Sequence, residues 1–157
     1  MNMDRRRMLR LAGATLFAPT AARAAGRPLV TVYKDPSCGC CGAWADHIVK
    51  AGFPAKIVAE PRMNALKARF GIASALWSCH TAEVEHYLLE GHVPATALAR
   101  LLAARPSVRG LAVAGMPVGS PGMEVAGMEP ETYDVMAFGS EPPSLFMRFR
   151  GASPIST

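Results

Sequence analysis

The chain has 157 residues, half of them hydrophobic, and a formal net charge of +5 from 17 basic and 12 acidic side chains. Five arginines and one aspartate fall within residues 1–24, so the remaining 133 residues carry a net charge of only +1. This near-neutral balance argues against nucleic acid as a partner, and the length suits one domain with one hydrophobic core.

Residues 1–24 have the layout of an export signal. A basic head precedes a short apolar stretch, and residues 22–24 (Ala-Arg-Ala) fit a signal-peptide cleavage motif. The paired arginines ahead of Met8 and Leu9 are typical of the twin-arginine route, although an arginine-rich general secretory signal shares these features. The apolar stretch is too short to span a bilayer. We therefore predict cleavage, location in the periplasm and no permanent membrane anchor.

The first half of the exported part alternates between strand and helix patterns. Residues 29–33 form an apolar, β-branched run that predicts a buried strand, and residues 42–51 carry the apolar stripe of a helix. Residues 55–59 predict a second short strand, and a second helix begins at Pro61 and runs to about Phe70. This β-α-β-α order predicts an α/β domain, with a mixed central sheet flanked by helices.

The second half is less regular. Residues 81–89 alternate moderately, which indicates a strand, but their alanine and glutamates would also suit a helix. A loop rich in glycine, proline and methionine spans residues 115–130. The remaining predictions are a helix over 94–104, a strand over 111–114, a hairpin of strands over 133–138 and 145–149, and a disordered tail over 151–157. The folded domain is thus predicted to span residues 25–150.

Three of the four cysteines, Cys38, Cys40 and Cys41, lie within four positions at the predicted turn from strand to helix. Cys38 and Cys41 alone form a C-x-x-C motif, which is typical of thiol–disulfide redox sites, and a helix N-terminus favours thiolates there. Such a pair has no use for Cys40, and a disulfide between adjacent cysteines would be strained. Three thiolates on one turn suit copper(I), a soft ion of low coordination number, better than zinc. Structural disulfides are the alternative, and the sequence does not choose among the three possible pairings.

Three segments, YKDPSCGCCGAW, SCHTAEVEHYLLEGHVPA and GLAVAGMPVGSPGMEV, closely resemble the CopG-type copper-resistance proteins. This family has long been catalogued as a metal-binding domain of unknown function, and the resemblance covers about residues 30–138. It implies a thioredoxin-like fold, residence in the periplasm and copper handling alongside efflux systems. It also implies that Cys79 joins Cys38, Cys40 and Cys41 in the metal site. Spacing alone would leave Cys79 as a small buried hydrophobe.

Methionine thioethers are further candidate ligands. Met116, Met123 and Met128 lie in the 115–130 loop, which has little core for them to fill. The resemblance makes Pro117 the candidate for a cis-proline that faces the cysteine turn, which would bring Met116 near the thiolates. We therefore predict Met116 and Met123 as metal ligands, with a weaker case for Met128.

Two of the four histidines are candidate ligands because copper(II) accepts imidazole well. His92 lies in a turn ahead of a predicted helix, and His80 directly follows Cys79. An extended backbone would direct the His80 side chain away from that of Cys79. His47 shares a polar helix face and is assigned to the solvated surface, and His86 is assigned a structural role.

Taken together, the sequence predicts a periplasmic copper-binding protein of copper resistance that holds more than one copper ion at a cysteine cluster. Copper(I) is the expected bound form, with cycling to copper(II), and periplasmic efflux or chaperone proteins are the expected partners. The alternative is a thiol–disulfide oxidoreductase that uses Cys38 and Cys41. Motifs for nucleotide binding, zinc-dependent proteolysis and serine hydrolysis do not occur in the sequence.

Overall fold

The computed structural model describes residues 26–139 and 142–156. The predicted export signal and its cleavage site lie outside these residues. The described part of the chain forms a mixed α/β domain with an eight-stranded sheet and three α-helices. None of those helices is long and apolar enough to cross a membrane.

The helices are interspersed among the first four strands. In chain order, this part contains β1 (Val30–Lys34), α1 (Gly39–Lys50), β2 (Ala55–Ala59), α2 (Met63–Arg69), a 3-10 turn (Ser74–Leu76), β3 (His80–Val84), β4 (Tyr87–Glu90) and α3 (Ala95–Ala104). The remaining strands are β5 (Gly110–Ala112), β6 (Thr132–Phe138), β7 (Ser144–Arg150) and β8 (Ser153–Ile155).

The sheet has the strand order β2-β1-β3-β4-β5-β6-β7-β8. The pairs β1–β2 and β4–β5 are parallel, and all the other neighbouring pairs are antiparallel. This arrangement confirms the mixed sheet and the hairpin that was predicted near the end of the chain. The strand that carries the cysteine turn at its end, β1, lies inside the sheet between β2 and β3.

Hydrophobic clusters pack on both faces of the sheet around its central strands. The main core joins the sheet to α1 and α3, with Trp44 and Leu98 among its fully buried members. A smaller cluster that includes Leu76 and Leu88 forms on the other face. Leu88 and its neighbour Leu89 belong to different clusters because successive residues of a strand point to opposite faces.

Helix α1 begins at Gly39, three residues before the predicted start at residue 42. The Asp35 carboxylate accepts the backbone N–H of Ser37 at 2.9 Å, which reverses the chain before the cysteines are reached. Cys38 then has an extended backbone and occupies the N-cap position. Cys40 and Cys41 therefore lie in the first helical turn rather than in the preceding loop.

Residues 81–89 are not one element, because β3 and β4 form a hairpin within this range. The chain reverses at Glu85, which adopts a left-handed conformation with φ of 52°. Neither glycine nor proline marks this turn in the sequence. The alternating pattern therefore continues across it and does not indicate two separate strands.

The prediction of a disordered tail over residues 151–157 is wrong for Ser153–Ile155. This segment pairs antiparallel with β7, and Pro154 lies opposite Phe149. Gly151 has a φ of 60°, which lets the chain turn back tightly after β7. A proline is tolerated in β8 because β8 is an edge strand.

Candidate metal centre

The sheet brings two distant parts of the sequence to one place. Cys38, Cys40 and Cys41 follow β1 after a turn of three residues, and Cys79 directly precedes β3. Strands β1 and β3 are antiparallel neighbours in which Lys34 pairs with His80, so the end of β1 meets the start of β3. The cysteine turn and Cys79 therefore lie side by side at one edge of the sheet.

The structure brings all four predicted cysteines together. Their sulfur atoms lie within 4.8 Å of one another. Cys38 and Cys41 are joined as a disulfide, and the Sγ atom of Cys40 lies 3.5 Å from that of Cys38 and 3.8 Å from that of Cys79. Cys40 and Cys79 are free thiols. In this state, therefore, two of the four sulfur atoms are available as thiolate ligands.

Both candidate histidines lie beside Cys79. The Sγ atom of Cys79 is 3.0 Å from Nε2 of His92 and 3.3 Å from Nδ1 of His80, and both imidazoles are fully buried. The expectation that His80 would turn away from Cys79 is wrong. Cys79 lies just outside β3, so the alternation of side chains along a strand does not apply to this pair.

Burial keeps this part of the site neutral. It raises the pKa of the Cys79 thiol to about 12, and the neighbouring Cys40 adds to that shift. Burial likewise lowers the pKa of His92, and it lowers the pKa of His80 well below its usual value. Neutral imidazoles are ready to bind a metal, whereas a metal that binds Cys79 must displace the thiol proton.

Lys67 and Glu90 form a buried ion pair next to the centre, and sequence reasoning missed both residues. Glu90 also accepts the hydroxyl of Thr81 and the backbone N–H of Ser78, each at 2.6 Å. These bonds hold the segment on either side of Cys79. The sequence holds one signal for this pair, a glutamate that follows two leucines at the end of a strand. A buried glutamate needs a charged or hydrogen-bonding partner, but the sequence does not show which residue that partner is.

The loop over residues 115–130 lies against the cysteine turn. The hydroxyl of Ser78 donates to the Gly115 carbonyl. A Cβ atom added at Gly122, whose φ is 86°, would lie 2.7 Å from both the Cys40 carbonyl oxygen and the Trp44 backbone nitrogen. Only glycine fits this close contact between the loop and α1.

The loop places the candidate methionines at different points. Met123 follows Gly122 at the contact with α1, and Met116 follows Gly115 with a side chain that is 52% exposed. Met128 is 56% exposed. Met116 and Met128 are thus turned largely toward solvent.

The prediction that Pro117 is preceded by a cis peptide bond is wrong, because the described residues contain none. The chain turns here through Gly115 and Gly119, which both have positive φ, and through a bond from the Ser120 N–H to the Pro117 carbonyl. Cys79, which directly precedes β3, is close to the cysteine turn, because its Sγ atom lies 3.8 Å from that of Cys40.

The other two histidines lie away from the cysteines. His47 is not a solvated surface residue as predicted, because it is half-buried and its Nε2 accepts the backbone N–H of Ala95 at 3.1 Å. It thereby caps the N-terminus of α3. His86 is exposed in the β3–β4 turn and contacts the ring of Tyr87.

A surface groove leads to the free thiol of Cys79. It has a volume of about 560 Å³ and includes the side chains of Asp35, Arg62, Asn64, Lys67, Ser78 and Cys79 in its lining. Cys79 can thus be reached from solvent although it lies next to buried histidines.

The donor atoms fit copper. Metal–sulfur bonds of about 2.3 Å at tetrahedral or wider angles place two sulfur ligands about 3.7 to 4.6 Å apart. The distance of 3.8 Å between the Cys40 and Cys79 sulfur atoms falls in this range. Thiolate and imidazole are also the side chains that copper prefers.

Comparison with known proteins relates the chain to one group. The family described as "Protein of unknown function, DUF411" matches residues 76–123. A solved structure named copper resistance protein CopG, form 1, is 36% identical, with a TM-score of 0.73 over 80% of this chain and 99% of its own. Form 2 is also 36% identical, with a TM-score of 0.74 over 78% of this chain and 98% of its own. The comparison with curated proteins finds no match.

Proposed function

Because this chain belongs to the CopG-type copper-resistance family, we propose that it binds copper at Cys38, Cys40, Cys41 and Cys79 as part of copper resistance. The observation that carries this proposal is the convergence of four sulfur atoms within 4.8 Å from two separate segments. A single structural disulfide would need only Cys38 and Cys41. The free thiols of Cys40 and Cys79 beside it suit a soft metal ion.

Copper(I) binding by all four cysteines requires that the Cys38–Cys41 disulfide be reduced first. A dithiol reductant supplies two electrons and two protons to the disulfide and itself becomes a disulfide. Copper(I) then displaces protons from the four thiols. Thiolates that bridge as well as terminate hold more than one ion, and we propose at least two copper(I) ions per chain. Cycling to copper(II) and contributions from Met116 and Met123 complete this proposal.

We place the protein in the periplasm because of the pattern in residues 1–24, and we propose copper efflux or chaperone proteins as its partners. A thioredoxin-like core is also part of the proposal. Its support is the order β2-β1-β3-β4 with parallel β1 and β2, joined by α1, and a disulfide at the start of α1. Strands β5 to β8 then extend this core on one side.

Thiol–disulfide exchange is the second candidate function, and the Cys38–Cys41 disulfide favours it. Cys38 is partly exposed whereas Cys41 is fully buried, so a thiolate from outside would reach Cys38 first. Exchange with another protein could then proceed through a mixed disulfide at Cys38. This candidate gives no role to Cys40 or Cys79.

Anaerobic titration with copper(I) tests the proposal. The full chain is reduced, freed of reductant and titrated against a competing copper(I) chelator, with copper counted per chain. We expect at least two tightly bound ions, and fewer when the Cys38–Cys41 disulfide is left intact. A limiting ratio of one or less in the reduced chain would contradict the cluster, and strong reduction of insulin disulfides by the same protein would favour the exchange function.

A further inference from the structure

We propose that Cys79, His80 and His92 form a second copper site, which takes copper(II) when Cys38 and Cys41 are joined as a disulfide. The proposal rests on the copper-binding function above, because Cys79 belongs to both sets of ligands. It adds a dependence on the redox state of Cys38 and Cys41. Their disulfide determines which donor atoms are free, and therefore which oxidation state of copper the centre binds.

The geometry of the three donors carries the proposal. The Sγ atom of Cys79, one ring nitrogen of His80 and one of His92 lie within 4.8 Å of one another. Two nitrogens and one thiolate form the trigonal ligand set that copper electron-transfer sites use. Cys79 lines the groove described above, so an ion from solvent has a route to this one of the three residues.

His92 is held in the orientation that a metal ligand needs. Its Nδ1 lies 2.8 Å from the carbonyl oxygen of Pro121, which can only accept, so Nδ1 carries the hydrogen. The lone pair of Nε2 therefore faces the Cys79 thiol. Metal-binding histidines characteristically donate their other ring N–H to such a carbonyl or carboxylate, which fixes the tautomer and the ring direction.

His80 provides an independent second observation. Its ring is fully buried, and its Nε2 has no hydrogen-bond partner among the residues that the structure describes. A buried imidazole with an unpaired nitrogen carries a free-energy cost that packing against Trp44 does not remove. The other ring nitrogen, Nδ1, lies 3.3 Å from Cys79 Sγ and is the atom that faces the proposed site. A metal bound through Nδ1 would place the ring hydrogen on Nε2.

The disulfide changes the chemistry of the remaining donors. With Cys38 and Cys41 oxidised, the soft four-thiolate set is reduced to Cys40 and Cys79. The two imidazoles then supply as many donor atoms as the two free thiols. Imidazole is a good ligand for copper(II), whereas thiolate-rich sites favour copper(I). The oxidised chain therefore offers a copper(II) site where the reduced chain offers a copper(I) cluster.

The test uses the full chain with Cys40→Ser and the Cys38–Cys41 disulfide intact. In the parent, two copper(II) ions could take one electron each from Cys40 and Cys79, which would release two protons and join the two sulfurs. The substitution prevents this reaction. Titration with copper(II) should load one ion per chain, with visible thiolate-to-copper(II) charge-transfer absorption and electron paramagnetic resonance coupling to two imidazole nitrogens.

His92→Gln in the same background should weaken copper(II) binding by at least about tenfold. The matched control is His86→Gln, which changes an exposed histidine and should leave binding unchanged. Circular dichroism checks folding, and the spectra of the protein with both site histidines decide the question even if His92→Gln does not fold. Failure to retain copper(II), spectra without sulfur and two nitrogens, or equal affinities in the two glutamine variants would overturn the proposal. Copper(I) binding by the reduced parent is measured separately, so the copper(II) site and the copper(I) cluster can each be contradicted without the other.

Discussion

The Glu90 carboxylate accepts the backbone N–H of Ser78 at 2.6 Å, so a buried anion in β4 fixes the residue that precedes Cys79. The same carboxylate pairs with the Lys67 ammonium and accepts the Thr81 hydroxyl. Glu90 is fully buried, and these three donors replace the water that its charge has lost. The position of Cys79 in the metal centre thus depends on an ion pair that itself has no candidate role as a ligand.

Glu90→Gln should lower the free energy of unfolding by about 3 to 5 kcal/mol, because it leaves the Lys67 ammonium buried without a charged partner. The measurement is urea unfolding at pH 7. Glu85→Gln is the matched control, since Glu85 pairs with Arg105 at the surface, where a single ion pair contributes about 0 to 1 kcal/mol. Equal losses in the two variants would mean that the buried pair does not stabilise the fold as argued.

The cap that His47 provides to α3 should make part of the stability depend on pH. Only a neutral imidazole can accept the Ala95 N–H, and burial lowers the pKa of His47, with Glu124 opposing the shift and Lys50 adding to it. Below pH 6.5, therefore, the unfolded chain binds a proton at this residue more readily than the folded chain, and the free energy of unfolding falls.

Two substitutions at His47 separate the cap from its titration. His47→Ala should cost about 1 kcal/mol at pH 8, because the N-terminus of α3 loses its acceptor. His47→Gln keeps an acceptor that does not titrate, so its stability should fall less steeply than that of the parent below pH 6.5. Urea unfolding of the parent and both variants from pH 5 to 8 measures this. Parallel curves for the parent and His47→Gln would assign the pH dependence to other groups.

What the sequence predicted well was local. The run β1-α1-β2-α2 could be predicted because its apolar periodicity and its turn residues lie within each element. The β3–β4 hairpin was missed because Glu85 turns the chain without glycine or proline. Strand β8 was missed because three residues with a central proline become a strand only through pairing with β7.

The candidate site divides in the same way. The spacing of Cys38, Cys40 and Cys41 marked a thiol centre, whereas Cys79 was added through resemblance because nothing local places it there. The ion pair of Lys67 and Glu90 joins residues that are 23 positions apart, and no periodic pattern encodes such a contact. Partners across the fold depend on strand order, which was not predictable from this sequence alone.

Cys40→Ser separates copper binding from disulfide exchange. The substitution removes the sulfur that lies between Cys38 and Cys79, at 3.5 and 3.8 Å from them, and leaves the Cys38–Cys41 pair intact. The reduced variant should bind substantially less copper(I) than the parent, whereas any insulin reductase activity should persist. The measurements are copper(I) titration and an insulin reduction assay. Unchanged copper binding together with strong reductase activity would make disulfide exchange the function.

Met116→Leu tests whether the loop over residues 115–130 contributes a ligand. The hydroxyl of Ser78 bonds the Gly115 carbonyl, so Met116 follows a residue that is anchored next to Cys79. A neutral thioether adds a soft donor without adding charge to the thiolates, and its loss should weaken copper(I) binding. The fold should lose less than about 1.5 kcal/mol, because leucine preserves most of the volume and apolar character of methionine.

Met128→Leu is the matched control for this prediction, because Met128 belongs to the same loop and is 56% exposed, against 52% for Met116. The Met128 backbone N–H donates to the Val125 carbonyl, so this hydrogen bond stays within the loop, whereas the bond at Gly115 reaches Ser78. We therefore expect Met128→Leu to match the parent in copper(I) affinity and Met116→Leu to fall below it. Equal affinities in all three proteins would assign Met116 to the surface and leave the copper(I) site to its four cysteines.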